Sequence, residues 1–354
     1  MTSADLRAMA RRQALFPHTT LPELFDELPY VQIDPITSPA KAQDLILFQR
    51  VRDYRAGDAE REYRDLPIVE DYFMNYGYMS RAAIPLMHPR TPRKPWTVES
   101  EAGDLMEPIY DFVCENGPTH AKEIIAEFGK RQVANYWGGR GQAATKVLDY
   151  LHFLGRLGVS HRQGGQKHYH AVEHDHEPLS IEEQVQQCLR VLTEIYAPVP
   201  IKSLWYLLRH TAWFGGPQCF GHIMANRKML NDVRQEMVDG VSYALPESPR
   251  EADSDGLVRI VTPFDPVVYD RDRFKHLHGW EYKFEAYTPA AKRTMGYYAM
   301  PILWRDDAVG WANLAVVKGE LVVDLGYVKE PKEKAYQREL DLELDRFRFF
   351  LSAR

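Results

Sequence analysis

Cysteine is scarce in this chain. Its 354 residues contain three, Cys114, Cys188 and Cys219, far apart and odd in number. That argues against a disulfide framework or a four-cysteine zinc site and fits a reducing cytoplasm. Long apolar runs are missing too. No stretch approaches the roughly 18 residues of a membrane span, so no membrane association is expected. The first residues, Met1 to Arg7, lack the apolar core of a signal peptide and read as the start of an ordinary helix. An excess of positive charge is also lacking. The net charge is −6, which does not advertise a polyanion partner.

What is present is enough apolar material for sizeable cores. Hydrophobic residues make up 45% and aromatics 12% of the chain, and the length suggests two or three domains. Charge is unevenly placed. From Pro118 to His170 there are eight lysines and arginines against three acidic residues, with five histidines besides. Local sign decides where a polyanion docks. Lys146, Arg162 and Lys167 are the candidates in this stretch, with ordinary solvated surface charge as the alternative.

Taken in order, the pattern gives three passes of one inventory and then a change. Residues 1–97 read as three helices and a small sheet, the parts of a winged helix-turn-helix. Leu6, Met9, Ala10 and Ala14 space an amphipathic first helix. His18 to Leu24 opens a second, and Ser38-Pro39-Ala40 reads as cap, first turn and start of a third. Residues 68–79 are dense in aromatics and suggest a strand or hairpin closing the unit. After the basic, proline-rich linker His88 to Pro95, residues 98–173 show helices near Asp104–Glu115, Ala121–Phe128 and Gln142–Leu154. A wing-like hairpin then turns at Gly164-Gly165. Residues 174–248 repeat the order, with a hairpin turning at Asp239-Gly240. His174-Asp175-His176 before this unit has no partner ligands at suitable spacing and reads as a solvated linker.

Residues 249–354 switch to short strands. Leu257–Thr262, Trp280–Tyr287, Tyr297–Leu303, Asp307–Val317 and Leu321–Val328 suggest a small antiparallel sheet or barrel. A C-terminal helix over Tyr336–Leu351 follows, with its acidic residues expected in water. The expected class is therefore α+β: three tandem winged helix-turn-helix units, a small antiparallel β-barrel and a C-terminal helix. The turn Ala290 to Gly296 carries Lys292 and Arg293 between tyrosines. It reads as a basic tip able to probe a groove, or as a plain surface hairpin.

The stretch with the most chemistry is Tyr30-Val31-Gln32-Ile33-Asp34-Pro35-Ile36. In extended backbone, Gln32 and Asp34 point to one face while Val31 and Ile33 point to the other, and Pro35 favours an extended Asp34. A carboxylate beside an amide can hold and activate one water. Read locally, the more ordinary reading is that Asp34 caps the following helix and Gln32 sits on a wet strand face.

Together these residues resemble the AlkZ/YcaQ-like crosslink-repair DNA glycosylases. The resemblance rests on Val31-Gln32-Ile33-Asp34, on Trp137 followed by a helix and Leu157-Gly158-Val159, and on Thr262-Pro263-Phe264-Asp265-Pro266. It rests further on Tyr287-Thr288-Pro289-Ala290-Ala291-Lys292-Arg293 with Gly296-Tyr297-Tyr298. The resemblance implies hydrolysis of the N-glycosidic bond of alkylated purines in double-stranded DNA and, in some members, unhooking of interstrand crosslinks. It implies a catalytic glutamine–aliphatic–glutamine/aspartate motif, matched here by Gln32-Ile33-Asp34. No metal or other cofactor is implied. Many relatives carry histidines where this chain has Gln43-Asp44, and often one near Asn75. A monomer is expected, because three different modules in one chain remove the usual need for a dimer. The rival readings are a non-enzymatic DNA-binding regulator and a protein-interaction scaffold.

Overall fold

In the computed structural model, which describes residues 1–16, 18–134, 138–251 and 256–352, the chain packs as two interleaved units. One comprises Met1–Asp58, Leu189–Leu207 and Arg227–Arg354; the other comprises Ala59–Cys188 and Leu208–Asn226.

The first unit opens with helix Ser3–Ala14. Thr2 and Asp5 form a reciprocal capping box at its start, and Thr20 and Glu23 do the same for helix Leu21–Glu27. Strand Tyr30–Gln32 follows. The next helix, Ala42–Phe48, is buried along its whole length. It does not start at Pro39 as the sequence suggested. The Ser38 amide is spent on the Ala40 carbonyl and Thr37 bridges to Lys41, so a small turn closes before the helix begins.

The C-terminal strands form an open four-stranded antiparallel sheet, in the order Val258–Ile260, Met300–Trp304, Asp307–Val317 and Glu320–Tyr327. The expected barrel does not close. The reason lies at the edge strand. The Ile260 amide donates to Glu343 Oε1 (3.0 Å) and the Ile260 carbonyl accepts from Gln49 Nε2 (3.0 Å), so side chains satisfy the groups a closing strand would take. Glu343, on the C-terminal helix Lys334–Leu351, is thus buried rather than in water, and Glu339 is buried with it.

Trp280–Tyr287 is not a strand either. The chain from Asp265 instead makes helices Pro266–Tyr269 and Arg271–His278 before an irregular run. Asp265 and Asp270 cap these two helices through their own carboxylates, and Gly279, at φ 76°, ends the second. They bury Val267, Val268 and Phe274 against Ala10 and Ala14 of the first helix. Hairpin Gln235–Val238 and Val241–Ala244 turns at Asp239-Gly240 as expected, and pairs onward with Val199–Pro200.

The second unit holds the hairpin Ile68–Tyr72 and Tyr76–Ser80. It also holds helices Met106–Asn116, Ala121–Phe128, Ala143–Phe153 and Pro217–Ala225. Strands Leu157–Gln163 and Gln166–Ala171 pair through Gly164 and Gly165, both at positive φ, and the short strand Thr119–His120 adds to the hairpin. Helices Ile181–Tyr196 and Ile201–Gly215 each contribute to both units. Among the described residues no helix is long and apolar enough to cross a membrane. Cys188 and Cys219 are buried free thiols and Cys114 is an exposed one.

Candidate active site

Strand Tyr30–Gln32 buries Tyr30 and Val31, which fixes the backbone leading to the site. Gln32 is its last residue and is half-buried; Asp34 lies two residues on, also half-buried. The Ile36 amide donates to Asp34 Oδ1 at 2.9 Å, closing an Asx-type turn over Pro35. The Asp34 amide donates to Gln43 Oε1 at 3.4 Å, which ties the turn to the buried helix Ala42–Phe48.

Burial raises the Asp34 carboxyl above its ordinary value, and the Ile36 hydrogen bond offsets only part of that. The other buried carboxylates of this unit are compensated. Asp44 accepts from the Tyr54 hydroxyl (2.7 Å) and the Gly57 amide (2.9 Å). Asp265 takes both arms of Arg50 (2.8 and 2.9 Å), with neither side chain exposed. Among the described residues no such cation lies against Asp34. A partly desolvated carboxylate free of an ion pair is suited to stabilising a developing cation or to taking a proton from water.

The motifs near residues 262 and 298 meet each other, and Tyr298 feels the Asp34 charge. Tyr298 is buried, and its hydroxyl meets the Thr262 hydroxyl at 3.0 Å. Burial first, and the nearby Asp34 charge second among the raising effects, keep Tyr298 a neutral phenol. Tyr298 was visible in the sequence only as part of a motif, and its place near Asp34 carried no local signal. Thr262 to Pro266 is a structural corner: Arg50, gripped by Asp265, also donates to the carbonyls of Ala14 and Ile46.

The basic turn is built from a short 3-10 helix, Ala290–Lys292. Lys292 is exposed, Arg293 is half-buried with its guanidinium over the Tyr297 ring, and Tyr287 is 81% exposed. Burial works to raise the Glu285 carboxyl, but hydrogen bonds from Met295, Thr294 and Gly296 outweigh it and hold it below the usual range. Those bonds brace the turn from beneath. Gly296, at φ +119°, packs where a Cβ would strike the Asn313 side chain at 2.3 Å, so only glycine fits.

In the second unit, the basic candidates are placed differently from one another. Lys146 lies 3.7 Å from Asp149 on its own helix and is partly exposed. Arg162 makes a two-armed pair with buried Glu70, at 2.7 Å on each arm. Lys167 sits over the Tyr76 ring at 4.0 Å, and burial holds its ammonium below the ordinary lysine range. Among the described residues no three His, Cys, Asp or Glu side chains cluster as a metal site. His174 meets the Gly155 carbonyl at 3.0 Å and stacks on His88. Trp137 lies outside the described residues.

A family model described as "DNA glycosylase AlkZ-like" matches residues 7–350. This chain belongs to the AlkZ-like DNA glycosylase family. Among solved structures it is similar to the Streptomyces sahachiroi DNA glycosylase AlkZ. That match has a TM-score of 0.62 and 14% identity, and covers 99% of this chain and 96% of that one. At that identity the likeness is one of fold. Within this AlkZ-like chain, Gln43, Asp44 and Asn75 have defined jobs. Gln43 holds the Asp34 backbone, Asp44 anchors Tyr54 and Gly57, and the Asn75 side chain meets His210 at 3.4 Å.

Proposed function

We propose that this chain hydrolyses the N-glycosidic bond of N7-alkylated purines in duplex DNA, as a monofunctional glycosylase that needs no cofactor. The observation that carries the reading is Asp34: a half-buried carboxylate, raised by burial, on a braced turn, with no neutralising cation among the described residues. An N7-alkylated purine is positively charged and leaves readily, and its departure makes the sugar oxocarbenium-like. Asp34 stabilises that cation and takes a proton from the attacking water, while Gln32 orients the water. Family membership supports DNA base removal as the reaction class.

In this reading residues 1–97, 98–173 and 174–248 act as winged-helix modules carrying the DNA, with residues 249–354 presenting the basic turn. Lys292 and Arg293 are the groups we assign to the phosphates, with Lys146 as a further contact. Arg162 and Lys167, engaged by Glu70 and Tyr76, set the shape of their hairpin and add positive field. Crosslinked bases are within scope, since the chemistry at C1′ is the same.

The test is to incubate the protein with duplexes bearing 7-methylguanine or a nitrogen-mustard crosslink. Abasic sites and shifted bands are then scored together. The proposal expects both. Shifted bands without abasic sites would make the protein a non-enzymatic DNA binder, and neither at low salt would point to a protein scaffold.

A further inference from the structure

The second unit contains a pocket of about 420 Å³ that the proposed chemistry at Asp34 does not use. Its size is in the range of roughly 300–1,000 Å³ that holds small organic groups. Its walls are aromatic. Trp96 packs against Phe153 (ring centroids 5.1 Å), and Tyr72 stacks on Phe214 (5.3 Å, 23° between planes). The walls are held from behind by Arg90, a buried guanidinium that donates to the Phe153 and Tyr72 carbonyls and to Asp71. The pocket therefore does not need to assemble on binding.

Trp213 lines the pocket and is 44% exposed, with the Arg93 guanidinium 4.2 Å from its ring centroid and 3.7 Å from that of Phe220. An exposed tryptophan oriented by a cation is a ready stacking surface. Arg93, Lys94 and Lys146 line the same pocket, and none of the described lining residues is acidic. Flat π-faces with cations beside them fit a planar aromatic ring carrying a negative group, which is the chemistry of a nucleotide.

We propose that this pocket takes one unpaired nucleotide of a DNA strand, its base stacked on Trp213 and the aromatic walls and its phosphate met by Arg93, Lys94 or Lys146. The assignment rests on DNA being the partner, but not on the chemistry at Asp34. It gives the protein a means of gripping a locally unpaired strand, separate from the basic turn at Lys292 and Arg293.

The experiment uses the full chain and two labelled duplexes of one sequence, fully paired and with a single bulged adenine, followed by fluorescence anisotropy. Free dAMP is titrated separately by tryptophan fluorescence. Base stacking is worth about 1–3 kcal/mol, so the bulged duplex should bind roughly tenfold more tightly. Trp213→Ala should bring the two duplexes to parity, Trp213→Phe should keep most of the preference, and Lys146→Gln should lower it in part. Trp213 is exposed enough that its truncation leaves the packed core untouched. Equal binding of both duplexes by the wild type, or a preference that survives Trp213→Ala, overturns the proposal. Binding of dAMP without any bulge preference also overturns it, in favour of a free-nucleotide site. Base release from a fully paired 7-methylguanine duplex, measured in parallel, keeps the two readings apart. Release without a bulge preference sinks this inference alone, and a bulge preference without release sinks the glycosylase alone.

Discussion

At the scale of single residues, what distinguishes Asp34 is what it lacks. Asp44, Asp265 and Glu343 are buried with donors against them, whereas Asp34 is half-buried with its Ile36 hydrogen bond and, among the described residues, no cation. Its raised value has a kinetic consequence. In the proposed mechanism the base form is the working one, so the acid limb of kcat/KM should fall at a pH above the ordinary aspartate range. A limb at or below pH 4 would show that some other group is titrating. Asp265 makes the opposite case. Its pairing with Arg50 is fully buried, so Asp265→Ala strands a guanidinium and should cost about 3–5 kcal/mol in urea unfolding. A change below about 1 kcal/mol would mean that the corner is not a keystone. The sequence showed Thr262 to Pro266 as a motif but could not distinguish this structural role from a chemical one, because Arg50 is 215 positions away from Asp265.

At the scale of elements, local signals were the legible ones. The helices starting at Ser3 and Leu21 carry reciprocal capping boxes, and the hairpin at Gly164-Gly165 needs two positive φ values, so their patterns read directly. Pattern and structure part where distant side chains decide. Trp280–Tyr287 alternates like a strand but pairs with none among the described residues, and Glu343 looks solvent-facing until Ile260 and Gln49 are placed against it. The basic turn gives the prediction proper to this scale. Lys292→Ala with Arg293→Ala removes two cations from one braced tip, so DNA binding should weaken. The plot of log K against log salt should become shallower by about 2, since each phosphate contact contributes roughly 0.9. An unchanged slope would remove the turn from the interface.

At the scale of the whole molecule, several buried and half-buried histidines make stability depend on pH. His88, against Asp71 at 2.6 Å, is lowered from 6.5 to about 4, first by its burial. The unfolded chain therefore takes up this proton before the folded one does. Stability from neutral His88 is complete above pH 6.5 and is lost as the pH falls towards 4. His152, His170 and His210 are shifted the same way. Unfolding free energy should thus decline between pH 6.5 and 4. His88→Gln should flatten that slope by up to about 1.4 kcal/mol per pH unit, the value of one proton. A variant with the same slope as the wild type would clear His88 of this role. The composition shows thirteen histidines but not which are dry, since burial is set by packing among distant segments.

The central claim is that Asp34 performs the chemistry, and Asp34→Asn tests it most directly. Asparagine keeps the size of the side chain and an oxygen for the Ile36 amide, while removing the charge and the proton acceptor. With 7-methylguanine duplex DNA, the account predicts band shifts like those of the wild type and no abasic sites above the DNA-only background. Base release by Asp34→Asn at the wild-type rate would contradict it.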